Sequence, residues 1–155
     1  VFFSERTLHA ENGKKIKAIL PSGGSGPIVE ATDAVRDCPL TYEDLANVGT
    51  ILGSASVVVM DEDTDIAWVA SKIIKFFRHE SCGKCTPCRE GTYWLDKVLD
   101  TVMSGEGTMS DVERVVSIAQ NMQFKNLCAL GDFAANPAIY TIKNFPDDFK
   151  RHVKA

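Results

Sequence analysis

The sequence has no apolar run long enough to cross a membrane, which takes roughly 20 residues. Its longest candidate, residues 55–60, has the length of one strand. The sequence also has no dense run of lysine or arginine, and the 155 residues carry a formal net charge of −4. We therefore expect no membrane span and no general nucleic-acid binding, because a nucleic-acid binder needs a basic surface.

Cysteine is scarce, and the five that are present cannot all pair in disulfides within one chain. Three of them, Cys82, Cys85 and Cys88, lie close together in the stretch 79–91. This clustering favours a metal site in a reducing compartment over a disulfide framework.

The first residues lack the basic segment and sustained apolar run of a signal peptide, and the chain begins with valine. We expect a processed chain or a fragment of a longer protein. Composition changes near Thr64, which predicts one domain over residues 1–63 and another over residues 64–155.

The first part consists of short apolar runs separated by turn residues, which is typical of a small α+β unit. Its predicted elements are strands at 15–20 and 56–60, the beginning of a strand at Ile28, a loop at 21–27, and a helix that Thr41 caps and Gly49 ends.

The second part has helical periodicity and is predicted to form a helical bundle, so the fold class is α+β overall. Asp65 precedes the first helix, and a second runs from Cys88 to Val102. A third opens with a capping box of Ser110 and Glu113. A fourth segment spans 126–135, and Pro137 is predicted to start another helix.

The spacing C-x2-C-x2-C lets Cys82, Cys85 and Cys88 close around one face of a compact cluster, as in many iron–sulfur sites that take a fourth cysteine from elsewhere. Cys128 and Cys38 are the two candidates for the fourth ligand. We favour Cys128 because it lies in the helical part, on a predicted bundle helix, and we interpret Cys38 as a lone thiol.

The residues between the cysteines fit a cluster. Gly83 allows the backbone to approach inorganic sulfide, and Thr86 and Pro87 are predicted as N-cap and first residue of the next helix. Lys84 and Arg89 are positioned to offset the negative charge of the cluster and to tune its potential.

Other interpretations of these residues remain open at this point. Structural zinc also takes four cysteines, although its usual pattern is two separated pairs. His79 could be a ligand, but we expect it to end the first bundle helix. Trp68 and Trp94 are predicted to pack in the core or at an interface.

Three stretches carry a resemblance to a known family. Residues 80–92 (ESCGKCTPCREGT) and 126–137 (NLCALGDFAANP) resemble the C-terminal part of the NADH-oxidising flavoprotein subunit of respiratory complex I, and of related NAD-linked hydrogenases and formate dehydrogenases. Residues 45–65 resemble the small ligand-binding β-grasp domain of the same family. The resemblance implies a partial β-grasp domain over 1–63 and a [4Fe–4S]-binding bundle over 64–155.

The resemblance also implies roles and partners. Its [4Fe–4S] ligands correspond to Cys82, Cys85, Cys88 and Cys128, whereas Cys38 matches no ligand. In the family, NADH gives a hydride to FMN, and single electrons pass through this cluster to a thioredoxin-like [2Fe–2S] subunit and a larger iron–sulfur subunit. The implied location is the cytoplasmic or matrix side, soluble or peripheral to a membrane complex.

The loops that bind FMN and NAD in the family belong to an N-terminal region that this sequence lacks. Its only glycine-rich loop, at Gly23, Gly24 and Gly26, has neither the Rossmann fingerprint nor the P-loop lysine. We expect an electron-transfer module that does not oxidise NADH alone. The alternative function is a zinc-stapled docking module for partner subunits, with no redox role.

Overall fold

A computed structural model describes residues 13–154, which form two compact units on either side of the Thr64–Asp65 junction. The first unit is a small antiparallel sheet with two short helices, and the second is helical. The predicted α+β fold class is therefore confirmed. None of the described helices is long and apolar enough to cross a membrane.

The sheet of the first unit has β1 as its central strand. Its strands are β1 (Ile16–Gly24), β2 (Val29–Glu30) and β3 (Val58–Asp61), in the order β2-β1-β3. Both neighbours pair antiparallel with β1, so that Ile19 faces Val29 on one side and Val59 on the other. Ile19 is fully buried and anchors the core of this unit.

The predicted loop at 21–27 is wrong in its first half, because β1 continues to Gly24. Gly23 donates a backbone hydrogen bond to the carbonyl of Ser56 at 2.9 Å, and Ser22 is only 1% exposed. A strand partner from later in the chain satisfies the backbone here, which overrides the local turn preference of proline and glycine.

Two short helices complete the first unit, α1 (Asp33–Arg36) and α2 (Tyr42–Asn47). Sequence reasoning missed α1, which has a single turn. The prediction for α2 is confirmed. The hydroxyl of Thr41 accepts from the Asp44 N–H at 3.1 Å, and Gly49 follows the helix with φ of 80°.

The second unit is a bundle of four longer helices with one short helix after them. These are α3 (Ile66–Glu80), α4 (Thr86–Met103), α5 (Met109–Met122), α6 (Leu130–Asn144) and α7 (Pro146–Lys150). Helix α4 packs on α3 and α5, and α6 packs on α5 and α3, which closes the bundle. Its centre is filled by fully buried aliphatic side chains such as Ile74, Leu95 and Val115.

The C-terminal residues of the second unit lie against the start of α3. The Asp65 carboxylate accepts from the Ala67 N–H at 2.9 Å, and the buried Asp148 carboxylate of α7 accepts from the Ile66 N–H at 2.8 Å. His152 lies 2.7 Å from Asp65. Two carboxylates thus stabilise the N–H groups that the first turn leaves unpaired.

The structure corrects two predicted helix boundaries. Cys85 rather than Thr86 is the N-cap of α4. The capping box of α5 consists of Thr108 and Asp111 rather than Ser110 and Glu113, since the Asp111 carboxylate accepts from the Thr108 N–H at 2.9 Å. The helix therefore begins two residues earlier than the sequence pattern predicted.

The sequence predicted that Pro137 starts a new helix. This prediction is wrong, because Pro137 lies inside α6. Proline inside a helix removes one backbone hydrogen bond and crowds the carbonyl one turn earlier, and the packing of α6 on α3 and α5 outweighs that cost. The hydroxyl of the buried Thr141 donates to the Pro137 carbonyl.

The core position predicted as one alternative for the tryptophans is wrong, since Trp68 and Trp94 are 52% and 56% exposed.

A charge pair with a buried carboxylate joins α3 to α4. Asp96 is 3% exposed and accepts a hydrogen bond from Arg78, whose guanidinium also lies 4.7 Å from the centre of the Tyr93 ring. A carboxylate buried this far needs its partner, because an unpaired buried charge is costly.

We expect Asp96→Asn to lower the free energy of unfolding by about 1–3 kcal/mol, because it weakens a charge-assisted hydrogen bond in a buried position. Asp100→Asn, one turn further along α4 on its exposed side, is the matched control and should change it by less than about 0.5 kcal/mol. Urea unfolding of both variants measures the difference. Equal midpoints would contradict a stabilising role for the Arg78–Asp96 pair.

Candidate metal centre

A cavity of about 170 Å³ lies where the loop between α3 and α4 meets the segment before α6. It is lined by Glu80, Ser81, Cys82, Lys84, Cys85, Cys88, Asn126, Cys128 and Leu130. The structure thus brings together all four cysteines that the sequence analysis singled out as ligands. A single water needs only about 15 Å³ of such space, so the cavity has room for a group of several atoms.

The three clustered cysteines reach the cavity through a tight loop that leads directly into α4. Gly83 has φ of 78°, a left-handed conformation that glycine adopts without strain. Cys85 is the N-cap of α4, and Cys88 lies in its first turn and is 8% exposed. The free N–H groups and the dipole of the helix start give this position partial positive charge, which suits a negatively charged bound group.

Cys128 reaches the cavity from a loop rather than from a helix, and its predicted placement on a bundle helix is wrong. It lies in the segment 123–129, and α6 begins only at Leu130. The Leu127 N–H donates to the Cys85 sulfur at 3.3 Å, and the Phe124 N–H donates to the Asp132 carboxylate at 2.6 Å. The first bond holds the segment against the cysteine loop, and the second ties it to α6.

None of the five cysteines forms a disulfide. Within residues 13–154, no three His, Cys, Asp or Glu side chains converge closely enough to hold one metal ion. Four cysteines nevertheless line the same cavity. Four cysteines are the ligand number that iron–sulfur clusters and structural zinc sites both take.

The two cationic residues predicted beside the cluster have different surroundings. Lys84 lines the cavity. Arg89 does not, because its guanidinium donates to the Gly83 carbonyl at 2.8 Å and to the Glu90 carboxylate at 2.7 Å. Arg89 therefore braces the cysteine loop.

The remaining candidates lie elsewhere. Cys38 packs into the hydrophobic core of the first unit and is 5% exposed. Burial, together with the nearby charge of Asp44, raises the pKa of the Cys38 thiol. His79 lies in the last turn of α3, as predicted, and is not among the described residues that line the cavity.

Sequence reasoning missed two polar groups that contact the cysteine sulfurs. The Ser81 hydroxyl lies 3.3 Å from the Cys88 sulfur, and the Leu127 N–H bonds to the Cys85 sulfur. The Ser81 contact could have been suspected from the sequence, because Ser81 directly precedes the first cysteine of the cluster. The Leu127 bond results from a tertiary contact between distant segments, for which the local sequence contains no signal.

Curated relatives of this chain match nearly all of its length. The F subunit of NADH-quinone oxidoreductase in Mycobacterium tuberculosis is 40% identical over 142 residues, which are 92% of this chain and 32% of that protein. Its counterpart in Streptomyces coelicolor is 41% identical over 141 residues, 91% of this chain and 31% of that protein. The chain thus spans about a third of the length of these curated relatives.

A solved structure shares the fold. A chain of the NAD+-reducing [NiFe]-hydrogenase in its H2-reduced state matches with a TM-score of 0.86 and 28% identity, over 99% of this chain and 26% of that chain. Residues 68–152 match the family described as the NADH-ubiquinone oxidoreductase-F iron-sulfur binding region. That description confirms the resemblance inferred from the cysteine stretches and identifies an iron–sulfur cluster, rather than zinc, as the cofactor. Because the match covers more than half of the sequence, the chain belongs to this family of iron–sulfur binding regions.

Proposed function

We propose that this chain is an electron-transfer module whose Cys82, Cys85, Cys88 and Cys128 hold one [4Fe–4S] cluster. The observation that supports the proposal most directly is the cavity that these four cysteines line from two separate segments. Four thiolates are the usual ligand set of a [4Fe–4S] cluster. When bound, the cluster supplies one-electron transfer between a flavin and further iron–sulfur centres.

The surrounding residues prepare the site for a negatively charged group. Lys84 places a cation at the cavity wall, and the N-terminus of α4 adds partial positive charge beside Cys88. Arg89 and Gly83 fix the shape of the loop. Positive charge and N–H donors around cluster thiolates are the means by which a protein sets a reduction potential.

The names of the relatives extend the proposal to the whole protein. We propose that FMN and NADH bind in another region of the same polypeptide, and that electrons leave toward a thioredoxin-like [2Fe–2S] subunit and a larger iron–sulfur subunit. The parent complex would be an NADH-quinone oxidoreductase or an NAD+-reducing hydrogenase, the two kinds of protein that the comparisons name. Its location would be the cytoplasmic or matrix side, soluble or peripheral to a membrane.

The two units would have different roles in that complex. We propose that residues 1–63 are a partial β-grasp domain, and that residues 64–155 are the cluster-binding bundle. The bundle contains all four proposed ligands and every residue that lines the cavity.

The protein purified without oxygen should contain about four irons and four sulfides per chain. Dithionite should produce a rhombic or axial EPR signal that is absent before reduction. Metal analysis and EPR before and after reduction measure both. Zinc without an EPR signal would instead support the docking module and overturn the redox proposal.

Cys128→Ser should lose most of the iron and destabilise the bundle, because a cluster deprived of one thiolate is held less tightly and its binding contributes to folding. Cys38→Ser is the matched control and should retain full iron, since Cys38 lies in the core of the first unit. Iron analysis and thermal unfolding compare the two variants. Equal iron in both would remove Cys128 from the ligand set.

Gly83→Ala should weaken iron retention, because alanine costs about 1–2 kcal/mol in a left-handed conformation and would distort the loop that carries Cys82. Gly105→Ala is the control, since Gly105 has nearly the same φ, 77° against 78° for Gly83, but follows α4 outside the cavity. Both variants should lose similar stability, and only Gly83→Ala should release iron faster to a chelator. Similar release rates would show that the loop conformation is irrelevant to the cluster.

A further inference from the structure

We infer that the Ser81 hydroxyl donates a hydrogen bond to the Cys88 thiolate and thereby raises the reduction potential of the cluster. The inference rests on the proposed function, because it assumes that Cys88 is a ligand. It assigns to Ser81 a tuning role, separate from holding the metal.

The direction of the hydrogen bond follows from the chemistry of the ligand. The Ser81 oxygen lies 3.3 Å from the Cys88 sulfur, and in the free protein either group can donate. A cysteine that binds iron does so as a thiolate and has lost its proton. The hydroxyl is then the only donor of the pair, so a hydrogen bond between the two groups runs from oxygen to sulfur.

The position of Ser81 is set by a rigid element. Ser81 is the C-cap of α3, and its N–H donates to the Phe77 carbonyl at 3.0 Å. Phe77 is 6% exposed and belongs to the core of the bundle. Because the end of α3 is anchored in this way, the hydroxyl is held near the sulfur without being fixed by the metal itself.

A second contact polarises the same hydroxyl. The Gly83 N–H donates to the Ser81 oxygen at 3.4 Å, so an amide, a hydroxyl and a sulfur form a short chain of hydrogen bonds. Such chains strengthen each bond in them. Cys88 is 8% exposed, so water screens the interaction only weakly.

The sign of the effect follows from charge. Reduction adds an electron to a cluster that already carries negative charge with its four thiolates. A donor at a thiolate therefore stabilises the reduced form more than the oxidised form, which raises the potential. The Leu127 amide acts on the Cys85 sulfur in the same sense, but it is a backbone group that a side-chain substitution leaves in place.

Ser81→Ala removes the hydroxyl and should keep the iron content while making the midpoint potential more negative. We expect a shift of up to tenfold in the ratio of reduced to oxidised cluster at a fixed potential, which for one electron corresponds to about 59 mV. Ser81→Thr retains a hydroxyl and should restore most of the wild-type potential. Iron analysis and EPR-monitored potentiometry on the full chain measure both quantities.

Ser104→Ala is the matched control. Ser104 is the C-cap of α4, with its N–H on the Asp100 carbonyl at 3.0 Å and its hydroxyl on the Thr101 carbonyl at 2.8 Å, and it does not line the cavity. The same chemical change at an equivalent helix end should leave the potential unchanged.

The outcomes separate this inference from the proposed function. A wild-type potential in a fully loaded Ser81→Ala variant would overturn the tuning role and leave the ligand assignment intact. Loss of iron from that variant would also overturn the tuning role, because the hydroxyl would then be needed to hold the cluster rather than to set its reduction potential. Zinc in the unaltered chain would overturn both proposals.

Discussion

The proposed site depends on one constraint, which is that two segments far apart in sequence must meet at a single cavity. The cysteine loop follows α3, whereas Cys128 precedes α6, and α3 and α6 are direct neighbours in the bundle. The hydrogen bond from the Leu127 amide to the Cys85 sulfur joins the two segments. Packing of the helices brings the thiols together, and this bond holds the segment before α6 next to the cysteine loop.

Charged groups support that arrangement at the helix ends and between helices. Asp65 and Asp148 cap the start of α3, and the Arg78–Asp96 pair fixes α3 against α4 close to the cysteine loop. Each buried carboxylate has a hydrogen-bonding partner, as the cost of burying an unpaired charge requires. The Arg78–Asp96 pair thus joins the two helices that flank the cysteine loop.

The surroundings of the site divide its tasks among different residues. Lys84 contributes charge at the cavity wall, Arg89 and Gly83 shape the loop, and Ser81 contacts a sulfur directly. Cys38 takes no part in this arrangement, because it packs with aliphatic side chains in the core of the other unit. A cysteine in such surroundings behaves as a small hydrophobic residue.

Much of this protein can be inferred from the sequence alone, since local patterns encode local structure. Periodicity predicted α3, α4 and α5, Thr41 predicted the start of α2, and Thr86 with Pro87 predicted the start of α4 to within one residue. The family was also recognisable from short stretches around the cysteines. These features depend on neighbours within a few residues, whose propensities act without the rest of the fold.

Tertiary structure decided what those patterns left open. The pairing of β1 with the segment around Ser56 turned a predicted loop into strand, and helix packing carried α6 through Pro137. The loop position of Cys128 and the contact of Ser81 with Cys88 likewise result from the way that α3, α4 and α6 pack. Such contacts depend on groups distant in sequence, and the burial and hydrogen bonds that they provide outweigh local preference.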